Sequence, residues 1–160
     1  MMRYLYGVFL IAVAVSGAIF FVYRTSTPPA EPAASERPTA EFGGVSLKLE
    51  YATTTTAREK GLGGRESLPS NYGMLFVFIE DDYYGIWMKD MLVPIDIFWL
   101  DSDGNVVSVK EDVATSTYPN VFYPSAPARY VLETAAGFAR SQNIEQGTPL
   151  VLKNFKRVSE

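Results

Sequence analysis

The 160-residue chain contains neither cysteine nor histidine. Lacking cysteine, it can form no disulfide, no zinc–thiolate site and no thiol nucleophile. Lacking histidine, it has no imidazole base, so a Ser-His-Asp triad and a His-ligated metal are both excluded. Basic residues are also in the minority, 14 Lys and Arg against 18 Asp and Glu, for a net charge of −4. A nucleic-acid binder would carry a basic face, so no nucleic-acid partner is expected. The mean hydropathy of +0.03 averages an apolar N-terminal end with a polar remainder.

Tyr4 to Tyr23, YLYGVFLIAVAVSGAIFFVY, is free of charge and bracketed by Arg3 and Arg24. As a helix it would measure about 30 Å, the hydrocarbon thickness of a bilayer. Tyr4, Tyr6 and Tyr23 lie near its ends, where amphipathic rings favour the headgroup layer. A cleaved signal peptide is the alternative, but the run is long for one and Arg24 follows with no small-x-small site just beyond it. Residues 1–24 therefore read as an uncleaved single-pass anchor, partnered with the membrane through 4–23. The positive-inside rule places the N-terminus in the cytoplasm and the rest on the extracytoplasmic side, by a narrow margin. Residues 25–40, TSTPPAEPAASERPTA, hold four prolines and four alanines without apolar periodicity, and read as a semi-extended tether.

Residues 41–160 form the folded domain, which is long enough to bury a core without a disulfide or metal. Its pattern is mostly period two. Val45, Leu47, Leu49 and Tyr51 alternate with polar residues as a half-buried strand. Residues 53–62 carry a helix signal, with Thr56-x-x-Glu59 as a capping box and Gly61 or Gly63 as terminator. Gly73 to Ile79 is a continuous apolar run, expected as a strand covered on both faces. Strands are also expected at 84–88, 95–100, 129–134 and 149–155, and a second short helix at 135–143. Asp103-Gly104 marks a hairpin whose two central residues should both have φ > 0. The 1-3-5 spacing of Asp101, Asp103 and Asn105 mimics a calcium loop, but Val106 stands where glycine should, so a plain turn is the better reading and no metal is expected. Residues 113–128 read as a loop. No βαβ rhythm is evident. The fold class is mainly β, a compact barrel-like or rolled sheet with two short helices, preceded by one transmembrane helix.

Several charged residues stand out. Asp96 lies in an otherwise apolar strand, where an unpaired carboxylate is costly. Arg129 and Glu133 share one strand face with Val131 between them. Lys89 follows Trp87 and Met88 at a strand end, and Arg58 and Arg65 flank the Gly61-Leu62-Gly63-Gly64 turn. These charges form ion pairs that set register, or some of them converge on a cleft where Arg and Lys hold carboxylate or phosphate. Arg58, Arg65, Trp87, Lys89, Asp96, Arg129 and Glu133 are the candidate ligand-binding residues. Trp87 and Trp99 are expected in the core, whereas Tyr118, Phe122 and Tyr123 are expected on the surface.

In order, AREKGLGGRESLPSNYGMLFVF (57–78), GIWMKDMLVPIDIFWLDSDGNVV (85–107), PARYVLETAAGF (127–138) and a closing Ile-x-x-Gly (144–147) resemble domain-of-unknown-function family 192, also called uncharacterised protein family 0127. The resemblance implies a small, mostly β domain, often exported or membrane-tethered in prokaryotes, and supplies no activity. Relatives with a cysteine pair before PARYVLE are also implied; ATSTYPNVFYPSA stands there here, so no redox or metal role of such a pair applies.

The functional expectation is a membrane-tethered extracytoplasmic binding or accessory module for a small polar, anionic or saccharide ligand, with no cofactor. Two alternatives stand beside it. One is a carboxylate-only hydrolase or lyase acting on envelope saccharides, with Asp96 and Glu133 as acid and base. The other is a structural partner domain in a membrane complex, with an envelope protein as its partner.

Overall fold

The computed structural model describes residues 38–153. The expected membrane segment 4–23, most of the tether and residues 154–160 lie outside the described residues. Among the described residues no helix is long and apolar enough to cross a membrane.

In chain order the elements are β1 (Thr39–Phe42), β2 (Val45–Ala52), α1 (Thr55–Lys60), β3 (Tyr72–Asp82), β4 (Ile86–Trp87), β5 (Ile95–Leu100), β6 (Val106–Val113), a 3₁₀ turn (Thr115–Thr117), β7 (Val121–Phe122), β8 (Ala128–Ala135), α2 (Phe138–Ser141) and β9 (Leu150–Lys153). Seven strands form one sheet in the order β6-β5-β8-β3-β2-β1-β9, while β4 and β7 pair as a separate ribbon. The sheet curls into a half-barrel. Asn105 bridges Pro149, and Leu150 N–H donates to the Gly104 carbonyl at 2.9 Å, so the start of β6 meets the start of β9. The mainly β class with two short helices is thus observed.

Because strand side chains alternate, the sheet buries two apolar layers. The inner one gathers Phe42, Leu47, Leu75, Phe98 and Leu132 with Phe138 of α2. There the Phe98 ring meets Phe42 edge-on at 5.1 Å and Phe138 at 6.2 Å, a favoured geometry for aromatic quadrupoles. The outer layer gathers Met74, Phe76, Ile97, Trp99 and Val131 beneath Leu62, Met88 and Met91. Strand β5 is buried at all six positions, which accounts for its nearly unbroken apolar sequence.

Several local expectations differ from what is observed; β3, expected to be covered on both faces, is buried only as far as Phe76, and Ile79 is 81 % exposed. β2 and β3 are parallel, joined by α1, so the fold contains one β-α-β crossover. β1 begins at Thr39, within the segment read as tether, and Ala40 is fully buried. Helix α1 is capped by Thr54, whose Oγ1 accepts from Ala57 N–H at 3.1 Å, and not by a Thr56–Glu59 box. At Asp103-Gly104 only Gly104 has positive φ, at 87°. Asp101 Oδ1 accepts from the N–H groups of Asp103 and Asn105 there, at 2.9 and 2.8 Å, in a three-residue loop rather than a two-residue one. The tight turn with two positive φ values lies instead at Gly43-Gly44, 58° and 80°, between β1 and β2.

Candidate functional site

The paired registers place Glu133 of β8 between Met74 of β3 and Ile97 of β5 on the outer face. Phe76, two residues after Met74, shares that face. Helix α1 lies over this part of the sheet. It buries no side chain of its own, and Arg58 fastens it by donating from Nη1 to the Thr53 carbonyl at 2.7 Å and the Val77 carbonyl at 3.1 Å. The Arg58 guanidinium also sits 5.0 Å above the Phe78 ring, a cation–π contact.

Gly61 ends the helix with φ 48°. A β-carbon there would stand 3.4 Å from Phe76 Cζ and 3.8 Å from Glu133 Oε2, so the backbone passes directly over the carboxyl. The glycine turn is then tied to the next loop, with Gly64 N–H donating to the Asp90 carbonyl at 2.8 Å. A cavity of about 210 Å³ is left between helix, turn, ribbon and sheet. Arg58, Lys60, Lys89 and Trp87 line it toward the outside, and Phe76 and Glu133 toward the sheet.

Glu133 is 4 % exposed, and its Oε2 has no hydrogen-bond partner among the described residues. Burial pushes its pKa up to about 8, because a carboxylate stripped of water is disfavoured. At neutral pH it is therefore a carboxylic acid, able both to donate and to accept. Three cationic side chains and one anionic one, Glu59, share the lining with it. The site can hold a small negative group against Lys and Arg and offer the acid to a ligand oxygen.

Of the seven sequence candidates, Arg58, Trp87, Lys89 and Glu133 come together here. The other three do not. Arg65 grips Glu50 with Nη2 at 2.9 and 2.8 Å and donates to Tyr72 Oη at 2.9 Å, in a surface network. Arg129 Nε pairs with Asp81 at 2.6 Å. Asp96 is fully buried on the inner face, opposite Thr134. Its oxygens accept from Asp112 N–H and from Ala139 N–H, each at 2.8 Å. Asp96 and Glu133 thus lie on opposite faces of the sheet, and the expected acid–base pair cannot share a cleft.

Trp87 also departs from expectation. It is 45 % exposed, while Trp99 is buried with its indole N–H donating to the Tyr84 carbonyl at 2.7 Å. In the short β4–β7 ribbon alternation sends Ile86 inward and Trp87 outward to the cavity rim. Lys60, Gly61, Phe76 and Met91 were missed as lining residues. Met91 and Phe76 read simply as apolar, and the facing of Lys60 depends on how α1 docks. Of the aromatic loop expected on the surface, Tyr118 is 47 % and Tyr123 64 % exposed, whereas Phe122 is half-buried against the outer apolar layer.

A family profile described as "Uncharacterized ACR", domain-of-unknown-function family 192, matches residues 38–152. The chain belongs to this family. Two relatives are UPF0127 proteins of Thermococcus gammatolerans and Thermococcus kodakarensis. The first is 35 % identical over 101 residues, covering 62 % of each chain. The second is 30 % identical over 102 residues, covering 62 % of this chain and 61 % of its own. The chain thus spans about three fifths of the length of the curated relatives it matches. Among solved structures, a Sinorhizobium meliloti protein provisionally described as a transcription regulator aligns with a TM-score of 0.67 at 28 % identity, over 72 % of this chain and 92 % of that one. A Novosphingobium aromaticivorans protein of unknown function aligns with a TM-score of 0.65 at 24 % identity, over 79 % and 93 %. The latter likeness shows the fold alone.

Proposed function

We propose that this family 192 domain is a binding module for a small anion, held at the outer face of a membrane by the apolar segment 4–23 and the proline-rich tether. The observation that carries the binding reading is Glu133, a buried acid whose Oε2 has no partner among the described residues and which lines a cavity with Arg58, Lys60 and Lys89. A buried polar atom left unsatisfied costs about 1–3 kcal/mol, and a ligand oxygen at that place would remove the cost. The cations supply attraction for a carboxylate or phosphate, and the apolar patch of Phe76 and Met91 supplies contact for a short carbon body.

The test is calorimetric titration of the full chain in detergent with acetate, glycolate and inorganic phosphate. Binding of at least one anion is expected, together with a rise in melting temperature, since a ligand at a hundred times its Kd adds about 2.7 kcal/mol. Lys89→Ala should weaken that binding, while Arg65→Ala should not. A panel that leaves the melting temperature unchanged throughout, or equal losses from both variants, would defeat the reading.

A further inference from the structure

We infer that the anion taken by the Glu133 cavity is the carboxylate of a hexuronate unit, an acidic sugar ring that stacks on Trp87 while Lys89 holds its charge. The inference rests on the anion-binding reading and adds to it from the aromatic rim. Lys89 Nζ stands 5.9 Å over the centroid of the Trp87 ring. A carboxylate drawn to Lys89 therefore arrives above the indole face, and a ring one bond away from that carboxylate is laid against it. A pyranose presents a face of polarised C–H groups, which suits the electron-rich face of an aromatic ring.

The rim is built to keep Trp87 in place. Tyr118 meets it edge-on at 6.4 Å with an interplanar angle of 69°. Gly85 lines the same cavity and is packed so closely that a β-carbon on it would fall 2.6 Å from Val121 Cγ1 and 2.7 Å from Tyr123 Cε1. Trp87 on the ribbon, Tyr118 shortly before β7 and Tyr123 just after it thus lie beside the mouth, all substantially exposed. Aromatic groups left in water beside a charged cleft suit a ligand that is itself amphipathic.

One feature favours a hydroxyl-bearing ring over other ring acids, and a second limits the size of the ligand. A ring hydroxyl can meet Glu133 Oε2, which has no partner among the described residues, while the carboxylate stays on Lys89; benzoate has only its carboxylate to serve both. The cavity of about 210 Å³ is below the roughly 300–1,000 Å³ of sites for drug-sized ligands. It has room for one small unit, and a longer saccharide would continue over Tyr123.

The experiment titrates the full chain in detergent with acetate, galactose, galacturonate, trigalacturonate and benzoate, followed by calorimetry and by tryptophan emission. Galacturonate should bind about tenfold more tightly than either galactose or acetate and shift the emission of Trp87. Trp87→Ala should weaken galacturonate about tenfold, weaken acetate far less and be largely rescued by Trp87→Phe. If acetate binds as tightly as galacturonate and Trp87→Ala alters neither, the sugar assignment falls while the anion cavity stands. Benzoate binding more tightly than galacturonate, or galactose binding equally, also overturns it. If no carboxylate binds at all, the anion reading falls first and takes this one with it.

Discussion

Among the described residues no charged partner holds the Glu133 proton off, and burial raises its pKa from 4.5 to about 8. The folded protein therefore binds that proton more tightly than the unfolded chain does. Its contribution to stability is full below about pH 4.5 and is lost progressively as the pH rises through about 8. Over that window the loss is on the order of 4 kcal/mol. Glu133→Gln removes the ionisation and should flatten this slope, matching the parent near pH 4 and exceeding it in stability at pH 8. Denaturant midpoints measured across that range, followed through the buried Trp99, give the comparison; parallel profiles for parent and variant would refute the assignment. The alternation of Arg129, Val131 and Glu133 made Glu133 readable in the sequence as a candidate. Its lack of a partner was not readable, because it depends on Met74 and Ile97 being the residues that two other strands place beside it.

Between elements, Asp96 acts as a joint. Helix α2 is preceded by Gly137 at its N-cap position, which has no side chain to cap it. Asp96 reaches from β5 to accept Ala139 N–H and supplies the missing cap. Its other oxygen accepts Asp112 N–H, where the β5–β6 register shifts between Ile95 and Ile97 and Asp112 takes φ 49°. One carboxylate thus fastens a helix and a β-bulge to a central strand. Asp96→Asn turns an amide NH₂ toward one of these donors and should cost about 2–4 kcal/mol in denaturant unfolding. Anion affinity of the folded variant should stay within about twofold of the parent, and a larger loss by titration would return Asp96 to the site. The odd placement of an acid in IDIFWL was visible in the sequence. Which of the two roles it had was decided by strand register, which assigns Asp96 and Glu133 to opposite faces.

At the scale of the molecule, the acidic, histidine-free domain and the charge-free run ahead of it make separate predictions. The run 4–23 is long enough to span a bilayer. The full chain should therefore remain in the membrane pellet after an alkaline carbonate wash, whereas a variant starting at residue 25 should appear in the supernatant. Release of the full chain would end the tethered reading without touching the cavity. The domain stands on two apolar layers around one curled sheet, and the site sits over the outer layer, where α1 and the β4–β7 ribbon are laid against it.

By itself the sequence determined the chemistry that is absent, the period-two strands, the apolar run and the family 192 blocks, because composition and alternation are local properties of a chain. The tertiary structure alone decided that β2 and β3 run parallel, that Trp87 faces out and Trp99 in, and that four of seven candidate residues share one cavity. Those outcomes depend on which strands pair and in what register. A shift of one residue would exchange the two faces of the sheet, so they arise only once the whole chain has closed on itself.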